Sequence, residues 1–217
     1  MIDKPTGDSY YTIIRRDLIS LISWDGNARV LDVGCGEGET GRELKDKKLA
    51  KEVVGIEIQK EKAKIALKKL DRVISGDIEV LNIPCPEKYF DVIILGDIIE
   101  HLKDPWEAIL KLKRFLQDNG VIISSIPNIR NWGLVIRPLL FFGEFKYCQE
   151  GILDITHLRF FTKTSIFNLF GNAGFNIYKA VPVYQPFNFK KRLFKLIFRG
   201  NFHELLVIRY LILAKKK

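Results

Sequence analysis

Short apolar runs alternate along the chain with charged stretches of helical period, a rhythm that predicts parallel strands joined by helices. Val30, Leu31 and Val33 open the series as a first strand, residues 40–49 read as a charged helix, and residues 53–56 form a second strand ending at Glu57. Residues 59–71 place Ala63, Ala66, Leu67 and Leu70 on one face of a lysine-rich helix. Third, fourth and fifth strands follow at 73–74, 89–95 and 121–126, with a helix over 106–116 and a closing Asn119-Gly120 between the last two. The 89–95 run is nearly all apolar, as expected of a strand covered on both faces. Thr162 is positioned to cap a helix over 163–173 that Gly174 ends, and 175–183 and 205–214 supply the sixth and seventh strands.

Two insertions interrupt what is otherwise one domain over residues 1–217. The first, at about 128–160, holds an apolar run over 132–142 and is either the candidate lid on the acceptor side or a helix tucked into its own core. The second, at about 186–203, alternates Phe187, Phe189, Leu193, Phe194 and Ile197 with Lys190, Lys191, Arg192 and Lys195, the pattern of a basic, apolar surface helix. At the other end, apolar positions in 8–24 predict a helix over one edge of the ligand pocket, with Tyr10 and Tyr11 at its start within reach of the ligand but expected first in the core.

The chemistry is concentrated where the first strand ends. Asp32-Val33-Gly34-Cys35-Gly36-Glu37-Gly38 puts three glycines at alternate positions before a helix, so the backbone can approach a bound molecule closely. A dinucleotide fingerprint needs a glycine where this chain has Glu39, and Glu37 and Glu39 would oppose a pyrophosphate. Asp32 suits a ligand that carries positive charge. Glu57, at the end of the second strand, suits the paired hydroxyls of a ribose.

Residues 29–41 resemble the first motif of the class I S-adenosylmethionine-dependent methyltransferases, hydrophobic-hydrophobic-Asp-hydrophobic-Gly-x-Gly-x-Gly, without a break. The resemblance implies a Rossmann-like, doubly wound seven-stranded sheet, six strands parallel and the seventh antiparallel, with helices on both faces. It also implies S-adenosylmethionine as cofactor, leaving S-adenosylhomocysteine, with the methionine part over Gly34, Cys35 and Gly36 beside Asp32. By the same resemblance Glu57 holds the ribose, Asp77 the adenine amine and the Ile78 N–H a ring nitrogen, with Ile58, Leu95 and Gly96 at the neighbouring strand ends.

Glu100-His101-Leu102-x-Asp104-Pro105 resembles small-molecule methyltransferases, including those acting on quinone-precursor hydroxyls, and the Asn/Asp-Pro-Pro-aromatic signature of amino-methylating DNA and protein-glutamine enzymes is missing. Thr156-His157-x-Arg159-Phe160-Phe161-Thr162 resembles a pattern preceding the last helix in many of these enzymes, including ones of glycan and cell-surface biosynthesis. His101 and His157, two of the three histidines, are therefore the candidate proton acceptors, with His101 slightly ahead. Arg159 is expected to pair with Asp154 or to meet an acidic substrate. Asp97, Glu100, His101 and His157 could gather round a divalent ion, but Asp97 departs from the Glu-x-x-Glu-His form that some relatives use, and no metal is assigned.

Composition narrows this reading little. Hydrophobic residues make up 47% and charged residues 28%, as in soluble globular proteins. Three scattered cysteines argue for a reducing compartment, and with no signal-peptide pattern the expected location is the cytoplasm. The net charge of +9 is uneven, with nine Lys/Arg against Glu204 alone from residue 188 onward. That basic end gives a route to an anionic substrate or to a membrane surface, and keeps a tRNA or rRNA methyltransferase, or a non-catalytic membrane-peripheral cofactor-binding protein, as alternatives to a small-molecule or glycan acceptor.

Overall fold

The computed structural model describes residues 12–184 and 201–217. Seven strands form one sheet in the order β3-β2-β1-β4-β5-β7-β6: β1 Ala28–Val33, β2 Ala50–Glu57, β3 Arg72–Ser75, β4 Phe90–Gly96, β5 Leu116–Pro127, β6 Phe175–Tyr184 and β7 Val207–Lys216. Strands β1 to β5 pair in parallel, while β7 runs antiparallel to both β5 and β6, which gives the expected six-and-one arrangement.

Alternation along the strands divides the core between the two faces. Leu31, Val33, Ile93 and Leu95 pack with Ile109 and Leu112 of α4 (Pro105–Phe115) and Ile166 and Phe170 of α6 (Lys163–Asn172). Val30, Val92 and Ile94 pack on the opposite side with Leu18 of α1 (Arg16–Ile19), Leu44 of α2 (Glu39–Asp46), and Ala66 of α3 (Lys60–Ala66). Thr162 caps α6 as expected, its side chain accepting from the Ser165 N–H while the Ser165 hydroxyl accepts from the Thr162 N–H.

The N-terminal helix is shorter than its periodicity predicts. Among the described residues only one turn forms, and just before it the Arg15 N–H donates to Thr40 Oγ1 (3.1 Å) at the start of α2. Leu18, Ile19 and Leu21 still reach the core, but Ile13 is exposed. Tyr10, Tyr11 and most of the basic 186–203 segment lie outside the described residues. The first insertion forms a π-helical turn, Trp132–Ile136, continuous with α5, Arg137–Phe142, whose Leu139, Leu140, Phe141 and Phe142 are at least half exposed.

Candidate functional site

Register lines up the carboxyl ends of the parallel strands: Val33 pairs with both Ile56 and Leu95, Leu95 with Ser124, and Glu57 with Ser75. The glycine turn stands at the centre of this edge. Gly34, Gly36 and Gly38 all have positive φ, and a Cβ on Gly34 would lie 2.0 Å from the Ile98 side chain. The turn is held from β2: the Gly34 and Cys35 N–H groups donate to the Ile56 carbonyl (2.7 and 3.1 Å), and the Gly36 N–H donates to Glu57 Oε2 (2.9 Å). The other Glu57 oxygen accepts from the Gln59 N–H (2.8 Å) at the start of α3. A carboxylate has about four acceptor positions, so both oxygens keep capacity for a sugar's hydroxyls. Glu37 and Glu39 are held off the turn by Lys62 and Lys69 of the α3 side (2.7 and 2.8 Å).

Asp32 is buried at the base of the turn, and its Oδ2 has no hydrogen-bond partner. Burial, opposed by the Arg15 charge and reinforced by that of Glu57, raises its carboxyl to about 7. An orphaned buried carboxyl oxygen is costly unless something donates to it, so this atom fits a cationic ligand group at the turn. Cys35 is buried beside Gly55, and burial pushes its thiol up, marking it as packing. Beyond Glu57, Ile58 is 63% exposed, an apolar surface fit to be covered by a ligand's ring. Asp77 accepts from the Glu79 N–H (2.9 Å), Ile78 is buried, and Lys111 Nζ donates to the Ile78 carbonyl (2.8 Å). The residues implied for the cofactor therefore share one edge, and their chemistry fits the group.

Sequence reasoning missed the ionic cluster above β4. Asp97 has φ +55°, and its carboxylate accepts from Arg15 (2.7 Å) and from Ser125 (2.6 Å). Arg209 of β7 stands 3.6 Å from Asp17 and 3.7 Å from Asp97. Gly96 makes room for this, since a Cβ there would lie 3.0 Å from the Arg15 guanidinium. Part of the basic tail thus serves the fold: Arg209 faces these acids, and Lys216 donates to the Leu116 carbonyl (3.0 Å). The signal that was available was the charged Arg15-Arg16-Asp17 run inside an apolar segment.

The histidines do come together. The Leu158 and Arg159 N–H groups donate to the Glu100 carbonyl (2.8 and 3.0 Å), which ties the end of the first insertion to the turn after β4. The His101 and His157 rings then meet edge-on, 4.8 Å between centroids. Thr156 fixes the first ring: its hydroxyl donates to Asp154 Oδ1 (2.6 Å), leaving its oxygen to accept from His101 Nδ1 (3.1 Å). His157 Nδ1 lies 3.0 Å from the Ile152 carbonyl, which can only accept. Both rings are therefore assigned an Nδ1–H and a free Nε2 lone pair. Burial, with the nearby His101, holds His157 below the usual imidazole range against the pull of that carbonyl and of Asp154 and Asp97. Arg159 does not pair with Asp154; its guanidinium donates to the Lys103 and Leu158 carbonyls, because the loop it sits on is pinned to the β4 turn. From His157 an aromatic wall continues through Phe160 (6.5 Å) to Phe145 (6.3 Å) and Tyr147 (5.5 Å), all partly open to solvent.

The sequence profile of a family described as a methyltransferase domain matches residues 13–180. An uncharacterized protein of Methanocaldococcus jannaschii is 33% identical over 152 residues, 69% of this chain and 56% of the relative. The ubiquinone biosynthesis O-methyltransferase of Bradyrhizobium diazoefficiens is 28% identical over 110 residues, 49% of this chain and 42% of the relative. The chain thus spans about half the length of these curated relatives. A solved structure titled as a SAM dependent methyltransferase from Archaeoglobus fulgidus has the same fold, with a TM-score of 0.61 at 22% identity, covering 93% of this chain and 90% of that one.

Proposed function

The chain belongs to the methyltransferase-domain family, and from that premise we propose that it transfers the methyl group of S-adenosylmethionine to an oxygen or nitrogen of a small-molecule or glycan-type acceptor. Asp32 would hold the cofactor's ammonium group, the glycine turn its methionine backbone, Glu57 the ribose, and Asp77 with the Ile78 N–H the adenine. The cofactor supplies a methyl carbon open to in-line displacement at a positively charged sulfur. The chain's part is alignment and exclusion of water, which can together be worth on the order of 7–11 kcal/mol.

The observation that carries the acceptor reading is the histidine pair continued by the aromatic wall. Flat, partly exposed rings of Phe160, Phe145 and Tyr147 beside a proton acceptor suit a sugar or an aromatic ring carrying a hydroxyl. His101, oriented by Thr156 and Asp154, would take the acceptor's proton on Nε2, and His157 would support it. The O-methyltransferase among the relatives supports the same class. The inward pairing of Arg209 and Lys216 lowers the weight of a nucleic-acid acceptor.

The test is methyl transfer from radiolabelled S-adenosylmethionine to a panel of phenolic, quinol and sugar acceptors, with His101→Ala alongside. The expected loss is about 10²–10⁴-fold in rate with S-adenosylhomocysteine affinity retained. Transfer to tRNA or rRNA alone would refute the acceptor class, and no binding of S-adenosylhomocysteine would refute the activity.

A second reading is favoured by α5, whose exposed Leu139, Leu140, Phe141 and Phe142 are joined by Arg137 over the Phe142 ring (5.9 Å). That face would rest the protein on an anionic membrane. No helix among the described residues is long and apolar enough to cross one. Flotation with anionic liposomes that Phe141→Asp abolishes would support peripheral binding; a chain that never floats would end it.

A further inference from the structure

We propose that Glu100, His101 and His157 form a binding site for a divalent transition-metal ion. One ligand atom from each lies within 4.8 Å of the others, close enough for small side-chain rotations to bring all three onto one centre. Glu100 supplies an independent sign. It is 1% exposed, and both of its carboxyl oxygens are buried without a hydrogen-bond partner. A buried carboxyl with neither oxygen satisfied is an expensive arrangement, and a bound cation relieves it.

The histidines are prepared for the same task. A ligating imidazole characteristically gives its other ring N–H to a carbonyl or a carboxylate-linked partner, which fixes the tautomer and aims the free nitrogen. His157 does so through Ile152, and His101 through Thr156 and, behind it, Asp154. The loop that carries His157 is in turn fastened to the main chain of Glu100, so all three ligands are positioned from one short turn after β4.

Two imidazole nitrogens and one carboxylate oxygen suit zinc, cobalt, iron or manganese rather than calcium or magnesium, which favour all-oxygen sets. Asp97, the fourth group that spacing offered, is engaged by Arg15 and Ser125. Three protein ligands leave at least one position open, as in catalytic rather than structural sites. This proposal goes beyond the acceptor reading above and replaces one part of it: a ring nitrogen that ligates cannot also take a proton, so the role of base given to His101 would belong to the metal-free chain only.

The full chain would be stripped with EDTA and titrated with Co²⁺, followed by visible absorption, and with Zn²⁺, followed by calorimetry, while S-adenosylhomocysteine affinity is measured separately. One ion per chain is expected, with affinity falling by at least the roughly 10–100-fold that loss of even a supporting partner causes, in Glu100→Gln and in His157→Ala. Should Glu100→Gln fail to fold, His101→Ala and His157→Ala decide, with retained S-adenosylhomocysteine affinity as the sign that they fold. Absence of saturable uptake of either ion, or uptake unchanged in both histidine variants, overturns the metal site. In a chain that still binds S-adenosylhomocysteine that result leaves the methyltransferase reading standing, and loss of S-adenosylhomocysteine binding with metal uptake intact would do the reverse.

Discussion

If Asp32 holds the cofactor's ammonium group as proposed, cofactor binding should depend on pH in a way that an ordinary aspartate would not produce. Its carboxyl, at about 7 in the ligand-free protein, lies far above the usual value of 3.8 because it is fully buried. The folded chain therefore holds a proton there that the unfolded chain releases, and this contribution to stability is complete below about pH 4 and lost as pH rises through about 7. The total is on the order of 4 kcal/mol.

A ligand that brings an ammonium group to Oδ2 needs the carboxylate, so binding must expel that proton. With a pKa of about 7, the fraction ready to bind at pH 5.5 is about 25-fold smaller than at pH 7.5. The apparent Kd for S-adenosylhomocysteine should fall by that factor across this interval and level off above it. Isothermal calorimetry at the two pH values measures this, and in two buffers of different ionisation heat it also counts the proton released. Asp32→Asn keeps the shape and abolishes the titration, so its affinity should be weak and flat. A wild-type Kd that does not move between pH 5.5 and 7.5, or an asparagine variant that retains the slope, would show that Asp32 does not face the cofactor's charge.

Three further substitutions separate fold from site. Gly34→Ala puts a side chain at φ +71° and against Ile98, so it should abolish S-adenosylhomocysteine binding and cost at least the roughly 1–2 kcal/mol of the left-handed conformation in chemical denaturation. Glu57→Ala removes two charge-assisted hydrogen bonds of about 1.5–3 kcal/mol each, which for a chain of this size lowers Tm on the order of 10 °C, and it should weaken S-adenosylhomocysteine binding even where the protein remains folded. Thr162→Ala loses the α6 cap, about 1 kcal/mol and roughly 2–4 °C in Tm, with S-adenosylhomocysteine affinity unchanged.

What was legible in the sequence is what depends on near neighbours. The β1 strand and the glycine turn occupy consecutive residues, the strand-end acids follow apolar runs, and Thr162 stands three residues before its capping partner. The seven-stranded sheet and its antiparallel β7 came with the family resemblance rather than from periodicity, which assigns a strand but not its neighbour. Boundaries slipped where backbone pairing outweighed composition: β5 begins at Leu116, although Asn119-Gly120 resembles a turn, because pairing with β4 already starts at Phe90 and Leu116. Among the described residues the N-terminal helix keeps only Arg16–Ile19, and the Arg15 N–H just before it is taken by a long-range partner, Thr40.

The candidate site divides along the same line. The half proposed for the cofactor lies at four strand ends, those of Asp32 and Glu57 legible from their own chemistry and the others through the resemblance, and the parallel register brings them to one edge. The half proposed for the acceptor is a meeting of segments 55 residues apart, made by two backbone N–H groups that find the Glu100 carbonyl, and no side-chain pattern encodes a backbone partner. The same meeting alters what the side chains can do. In sequence His101 and His157 are two separate candidate bases and Glu100 is an acid within a helical turn. In space the acid has lost every donor, and each ring has spent its Nδ1–H on a neighbour. One ligand atom of each of the three thus lies within 4.8 Å of the others, and the acid's oxygens are unsatisfied, an arrangement that two independent bases would not need and that a shared cation would complete.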